Sequence, residues 1–363
     1  MKCNILIFMQ NLAGGGAERV VLNIIKKLDK NRFNICLVLV AKTGELLDQL
    51  PDHIELINLN KRSTSSAVFS LRKAINEFNP DLVFSSLART HIVLYLALKL
   101  AGVKSHLILR SPNSPKQYMK SKPIGMISRY LLGKAYRSCE LLVAQTESMK
   151  CELITYHGVK KENIKVFLNP VDFNNIDLLI ENVDNPFDNN YTNIVAAGRI
   201  IEQKGFDILI KSFATVVKAN PNFRLHIIGE DVVGEKAKLE KLAHTLNITD
   251  YISFLGFQSN PYKFYVNADL YVLSSRWEGM PNTVLENLYL EKCIVATKCI
   301  PFLSDIIEDG KNGVLVDVED TQALAEAILA YEKLSPVKFK IFDKIGGDVN
   351  DLFDIEKIHL EGS

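Results

Sequence analysis

Short runs of Ile, Val and Leu alternate along this chain with stretches whose apolar residues recur every three to four positions. In the first half the runs are CNILIFM, FNICLVLVA, IELINL, DLVFSSL, SHLILR, ELLVAQT and IKVFLNP, and helical patterns fall at 17–29, 66–78, 90–101, 124–137 and 147–156. Strands that are apolar throughout are covered on both faces, and strands separated by helices run parallel. Residues 1–172 therefore read as one doubly wound α/β domain. The stretch 173–192, FNNIDLLIENVDNPFDNNYT, is rich in Asn and Asp and reads as a linker. A second series follows: NIVAAG, FRLHIIGE, YISFLG, ADLYVLSS, CIVAT and NGVLV, with helical patterns at 205–219, 235–246, 282–291 and 320–332. Residues 193–363 read as a second domain of the same kind, whose tail, 333–363, is weakly helical around 350–360 and carries no motif. Open α/β sheets bind ligands beyond the carboxyl ends of their strands, so two such domains facing each other would hold a site in the cleft between them.

A length of 363 residues is enough for two cores. With 47% hydrophobic and 23% charged residues and no run of eighteen uncharged apolar positions, the expectation is a soluble protein without a membrane span. The N-terminal apolar run is strand length and lacks a small-residue cleavage pattern, which favours a first strand over a signal peptide. Cys3, Cys36, Cys139, Cys151, Cys293 and Cys299 form no CxxC pair and no zinc-ligand spacing, and suit a reducing, cytoplasmic setting.

The net charge of +1 hides an asymmetry. Residues 1–172 carry 25 Lys and Arg against 13 Asp and Glu, and the remainder carries 18 against 29, so the halves are +12 and −11. A basic first half suits an anionic partner such as a membrane surface or a phosphorylated ligand. The charge is concentrated between Val103 and Cys139, where no acidic residue occurs and Lys116, Lys120, Lys122, Arg129, Lys134 and Arg137 mix with Ile, Met, Tyr and Leu. That composition suits an anionic leaflet; a domain helix with a solvated basic face is the alternative. No nucleic-acid module accompanies the patch, so no nucleic-acid partner is expected.

Candidate chemistry sits at strand ends. After the first strand, Gly14, Gly15 and Gly16 lead into a helix, and glycines before a helix N-terminus let the backbone approach a phosphate. A flexible strand-to-helix turn is the other reading of the same residues. The second domain opens with GRIIEQKGF, placing Arg199 at a strand end and Lys204 before a helix, a pair able to clamp a diphosphate or, alone, a solvated surface pair. SSRWEGMPNTVLEN then sets Glu278 on a loop and Glu286 about one turn into a helix, where carboxylates can accept sugar hydroxyls. A helix-capping and a surface glutamate is the alternative there.

Together, GGGAER, GRIIEQKGF and ADLYVLSSRWEGMPNTVLEN resemble glycosyltransferase family four, the retaining nucleotide-sugar transferases of bacterial surface polysaccharide and lipid-linked oligosaccharide synthesis, over roughly residues 1–332. The resemblance implies the GT-B fold, two Rossmann-like doubly wound domains facing across a cleft. It implies Arg199 and Lys204 as the donor diphosphate clamp, Glu286 on the donor ribose and Glu278 near the transferred sugar. Gly15, Gly16, Glu230, Gly279, Met280, Pro281 and Asn282 would line the donor. Where many relatives carry a His after the strand equivalent to SHLILR, this chain reads Arg110-Ser111-Pro112-Asn113, so Arg110 and Asn113, with Gly14, are candidates on the acceptor side. His91 reads as a structural or loop residue.

The implied activity moves a hexose or N-acetylhexosamine from a nucleotide diphosphate donor, UDP-linked, to a lipid-linked saccharide. The implied setting is cytoplasmic, docked peripherally on the inner face of the cell membrane. No cofactor or catalytic metal is implied, since protein cations take that role and no DxD occurs. Two alternatives remain: an impaired transferase-like protein that binds nucleotide-sugar or a partner enzyme, and a nucleotide-sugar epimerase or phosphorylase of the same fold.

Overall fold

The structure is a computed structural model and describes residues 2–116, 125–335 and 348–355. The chain divides into two compact units, Met1–Pro170 with Ile345–Ser363, and Val171–Lys344.

The first unit is built on a parallel sheet of seven strands among the described residues. They are β1 (Cys3–Met9), β2 (Phe33–Leu39), β3 (Glu55–Asn58), β4 (Leu82–Ser85), β5 (His106–Arg110), β6 (Leu141–Ala144) and β7 (Ile164–Val166), in the order β3-β2-β1-β4-β5-β6-β7. Alternation along each strand feeds two cores. Leu6, Phe8, Val83 and Leu109 point to one, under the helices Val68–Phe78, Ala88–Ala101 and Met126–Ser138; Ile5, Ile7, Phe84 and Ile108 point to the other, under Gly16–Lys27.

The second core is completed from the far end of the chain. Val349, Leu352 and Phe353 are buried in it, and the Phe353 ring meets Phe84 edge-on at 5.4 Å. Asn350 Oδ1 accepts from the Asp29 backbone N–H at 2.9 Å, and Arg32 pairs with Asp354 at 2.9 Å. This differs from the sequence expectation, which placed the whole tail in the second domain. The physical reason is the apolar triplet at i, i+3 and i+4, which fills a gap in the first sheet's cover.

The second unit holds β8 (Thr192–Ala197), β9 (Phe223–Ile228), β10 (Ile252–Gly256), β11 (Leu270–Leu273), β12 (Cys293–Thr297) and β13 (Gly313–Val316). The sheet is parallel, with the order β10-β9-β8-β11-β12-β13. The expected linker is largely part of this unit. Asp172 caps a helix, Phe173–Ile180, by accepting from Asn175 N–H at 3.3 Å. Phe173 stacks on Tyr289, whose hydroxyl donates to Asp177, and farther on Phe187 stacks on His226. An Asn- and Asp-rich composition concealed an amphipathic turn.

In both sheets the strand order reverses beside the unit's first strand, between β1 and β4 in one and between β8 and β11 in the other. In open α/β sheets such a reversal point, outside the carboxyl ends of the strands, is where ligands bind.

Candidate active site

At the reversal point of the second unit, β8 runs out into Gly198 and Arg199, and β11 into Ser274 and the loop that follows. Gly198 has φ of 152°, and a Cβ there would stand 2.5 Å from Lys204 Cε. Only glycine leaves room for the lysine stem to lie across the strand end. Gly205, at φ of 61°, brings its backbone against the Ser274 carbonyl, 2.1 Å from where a Cβ would sit. The turn Glu202–Lys204 is thereby pressed onto the loop leaving β11.

The contact unites two residues that the sequence assigned to different parts of a donor. Lys204 Nζ lies 2.7 Å from Glu278 Oε1, with side chains 16% and 8% exposed. Glu278 also accepts from Ser275 Oγ at 2.7 Å and from Gln203 Nε2 at 3.4 Å. Ser274 Oγ donates to the Lys204 carbonyl at 2.9 Å, and Thr297 Oγ1 donates to the Ser275 carbonyl at 2.5 Å. A carboxylate this buried is tolerable because its charge is paired and both oxygens accept hydrogen bonds.

Glu286 occupies the second turn of the helix Asn282–Tyr289 and is partly buried. Tyr271 of β11 is fully buried, its hydroxyl donating to Thr283 Oγ1 at 2.6 Å. Burial, and then the negative charges of Glu286 and Glu278, hold this phenol far above its usual pKa. Gly279, Met280 and Pro281, between the two glutamates in sequence, are buried and Asn282 is partly exposed. Arg199 and Glu230 are exposed at the adjoining ends of β8 and β9. The pattern along the chain singled out neither Gln203, Ser275 nor Arg276, although all three stand beside named motif residues.

In the first unit, Gly14 has φ of 90° and Gly15 caps the helix Gly16–Lys27 without a side chain. Arg19 Nε donates to the Gly14 carbonyl at 3.3 Å, which ties the loop down. Arg110 ends β5 with its side chain inward, 3% exposed. Its guanidinium donates to Ser86 Oγ at 2.8 Å and to Asn169 Oδ1, and burial pushes its pKa down to about 9. Asn169 donates in turn to Gln145, and Gln145 to the Ser111 carbonyl. Asn113 is exposed, and its carbonyl accepts from Ser111 Oγ at 3.1 Å.

His91 is a core residue of the helix Ala88–Ala101. The Arg110 carbonyl, 3.1 Å away, can only accept, so Nε2 carries the proton and Nδ1 accepts from Ser85 Oγ at 2.6 Å. Burial pushes its pKa down to about 3. Arg110 and His91 thus brace the ends of β4 to β7, and Asn113 alone of the Arg110-to-Asn113 stretch's two candidates is exposed.

Of the basic segment, Lys120 and Lys122 lie outside the described residues. Lys116, Arg129, Lys134 and Arg137 are exposed, and Arg137 Nη1 donates to the His157 carbonyl at 2.6 Å. Met126, Ile127 and Tyr130, at 88%, 76% and 61% exposure, project from the same helix.

Two family models match this chain, glycosyltransferase family 4 over residues 14–175 and glycosyl transferases group 1 over residues 180–340. The chain belongs to the family-four glycosyltransferases. An uncharacterized glycosyltransferase of Methanocaldococcus jannaschii is 31% identical to this glycosyltransferase over 64% of the chain and 59% of the relative. The N-acetylgalactosamine-N,N'-diacetylbacillosaminyl-diphospho-undecaprenol 4-alpha-N-acetylgalactosaminyltransferase of Campylobacter jejuni is 23% identical over 93% of the chain and 95% of the relative. Among solved structures, Anabaena HepE in complex with UDP-glucose superposes with a TM-score of 0.75 at 20% identity, over 99% of this chain and 97% of that one. That likeness establishes the fold, the GT-B type of two parallel-sheet α/β domains.

Proposed function

We propose that this glycosyltransferase moves a hexose or N-acetylhexosamine from a UDP-linked donor to a saccharide carried on a polyprenyl lipid, with retention of anomeric configuration. The observation that carries the reading is the ion pair of Lys204 with Glu278 beside the strand-order reversal of the second unit, with Glu286 on the helix that follows. Lys204 and the exposed Arg199 supply positive charge where a leaving diphosphate gains negative charge, an electrostatic contribution that needs no covalent step. Glu286 accepts the ribose hydroxyls and Glu278 those of the sugar. Lys204 and Glu278 pair with each other at 2.7 Å. Support for the donor and acceptor classes comes from the UDP-glucose complex of Anabaena HepE and the undecaprenol-linked substrate named for the Campylobacter relative.

With two protein cations at the diphosphate, the reaction is proposed to run without a metal; added chelator should leave turnover unchanged. The first unit is assigned the acceptor, with Gly14 and Asn113 as its candidates. Membrane docking at the cytoplasmic face is supported by the cations of the helix Met126–Ser138 and by Met126, Ile127 and Tyr130 on its exposed first two turns. No helix among the described residues is long and apolar enough to cross a membrane.

The function is tested by a thermal-shift comparison of UDP, GDP, ADP and NAD, followed by hydrolysis of UDP-hexose and UDP-N-acetylhexosamine. Stabilisation by UDP with slow donor hydrolysis is expected. No response to any nucleotide would overturn the reading.

A further inference from the structure

Lys204 and Glu278 are 74 residues apart in sequence and sit on separate loops, so their apposition depends on whatever locks those loops together. Arg276 joins them at several points. Its Nη1 and Nη2 donate to the two carboxylate oxygens of Asp207 at 2.8 Å each, in the first turn of the helix Phe206–Ala219. Nη1 also reaches the Glu202 carbonyl at 2.8 Å, Nε reaches Glu319 Oε1 at 2.6 Å, and its backbone N–H donates to the Gln203 carbonyl at 2.8 Å. The loop leaving β11 is thus pinned to the turn Glu202–Lys204, to the next helix and to the segment after β13.

We propose that Arg276 is a positioning residue for sugar transfer: it fixes the lysine-bearing turn against the glutamate-bearing loop so that Lys204 and Glu278 address the same spot. The inference rests on the roles given above to those two residues. A planar guanidinium matches a carboxylate with two parallel bonds, whereas an ammonium is a point charge that cannot hold Asp207, Glu319 and a carbonyl in one plane. The side chain is only 16% exposed, so its pairs are less screened than ordinary surface pairs. Its charge is consumed by Asp207 and Glu319, which leaves the donor's diphosphate to Lys204 and Arg199.

The test compares donor turnover and UDP affinity in the full chain for wild type, Arg276→Met, Arg276→Lys, Asp207→Asn, Lys204→Ala and the Arg276→Met/Lys204→Ala double variant. A small misplacement of catalytic groups costs about 100-fold in rate, so Arg276→Met should lower kcat about 30- to 100-fold, with UDP affinity within about threefold of wild type. Arg276→Lys should restore only a small part, and Asp207→Asn should lower kcat in the same direction. Residues acting through one another are non-additive, so the double variant should be no more than about threefold worse than Lys204→Ala. A double variant whose loss is the product of the two single losses would overturn the proposal, as would wild-type kcat in Arg276→Met. Should Arg276→Met fail to fold, Asp207→Asn with and without Lys204→Ala carries the same comparison. Wild-type turnover by Lys204→Ala would instead refute the clamp role beneath the proposal, an outcome distinct from an additive cycle.

Discussion

Removing Lys204 should cost stability before any substrate is added. Lys204→Met leaves the Glu278 carboxylate, 8% exposed, with Ser275 and Gln203 but without its counter-charge at 2.7 Å. Stranding a buried charge in this way costs roughly 3 kcal/mol. For a unit of this size that corresponds to a fall in midpoint of about 6–12 °C. Glu278→Gln in the Lys204→Met background removes the stranded charge and retains an oxygen for Ser275, so the double variant should recover much of the loss. The expected coupling between the two sites is about 2 kcal/mol. The protein supplies its own probe, since its one tryptophan, Trp277, adjoins Glu278 and its carbonyl accepts from Gln203 at 2.9 Å. Urea unfolding followed by Trp277 fluorescence therefore reports on the unit that holds the pair. A coupling below about 0.5 kcal/mol, the level of independent sites, would show that Lys204 and Glu278 are not paired in the ligand-free protein.

Other outcomes follow from the same geometry. Glu286→Ala should weaken UDP binding about 10- to 100-fold, the worth of charge-assisted bonds to two hydroxyls, measured by calorimetry; unchanged affinity would remove the ribose role. Phe353→Ala should destabilise the first unit by about 3–5 kcal/mol, because the ring is buried against Phe84, and a thermal midpoint equal to wild type would deny the tail its place in that core. His91 is neutral when folded and its pKa is lowered from 6.5 to about 3 by burial, so the unfolded chain binds the extra proton. The stability it contributes is complete above pH 6.5 and is lost as pH falls toward about 3. His91→Asn should flatten the stability profile in that window, and an equally steep profile would count against the assignment. Charge reversal at Lys116, Arg129 and Lys134 should release the protein from vesicles containing anionic lipid, whereas undiminished sedimentation would return the helix Met126–Ser138 to an ordinary solvated face.

Much of the fold was legible because its strands are buried on both sides. Runs such as CNILIFM and CIVAT have no polar face to confuse with a helix, and the glycines and helix starts that follow mark the carboxyl edges. Local pattern failed where placement depended on the rest of the molecule. Val349, Leu352 and Phe353 announce an apolar face, but nothing nearby in the sequence says that the first sheet, rather than the second, has room for it. The helix Phe173–Ile180 was hidden by its asparagines, although Asp172 ahead of Phe173 and Ile176 was a readable start signal.

The site divides in the same way. The two cations, the loop glutamate and the helix glutamate could be picked out as candidates from their motifs, and their roles only from the family resemblance. Their pairing could not, because Lys204 meets Glu278 across 74 residues. Arg276 stands within the motif itself, yet Asp207 and Glu319 lie 69 and 43 residues away, and without them it reads as a solvated cation. Arg110 shows the converse: its position suggested a ligand contact, whereas Ser86 and Asn169 hold it inside the fold.

The most direct test of the account is transfer of labelled sugar from UDP-hexose or UDP-N-acetylhexosamine to a polyprenyl-diphosphate-linked saccharide by wild type and Lys204→Ala. Wild type should form glycosylated lipid, with kcat in the variant lower by about 100-fold, as expected when a transition-state charge loses its partner. Equal turnover by both proteins would contradict the claim that Lys204 stabilises the departing diphosphate.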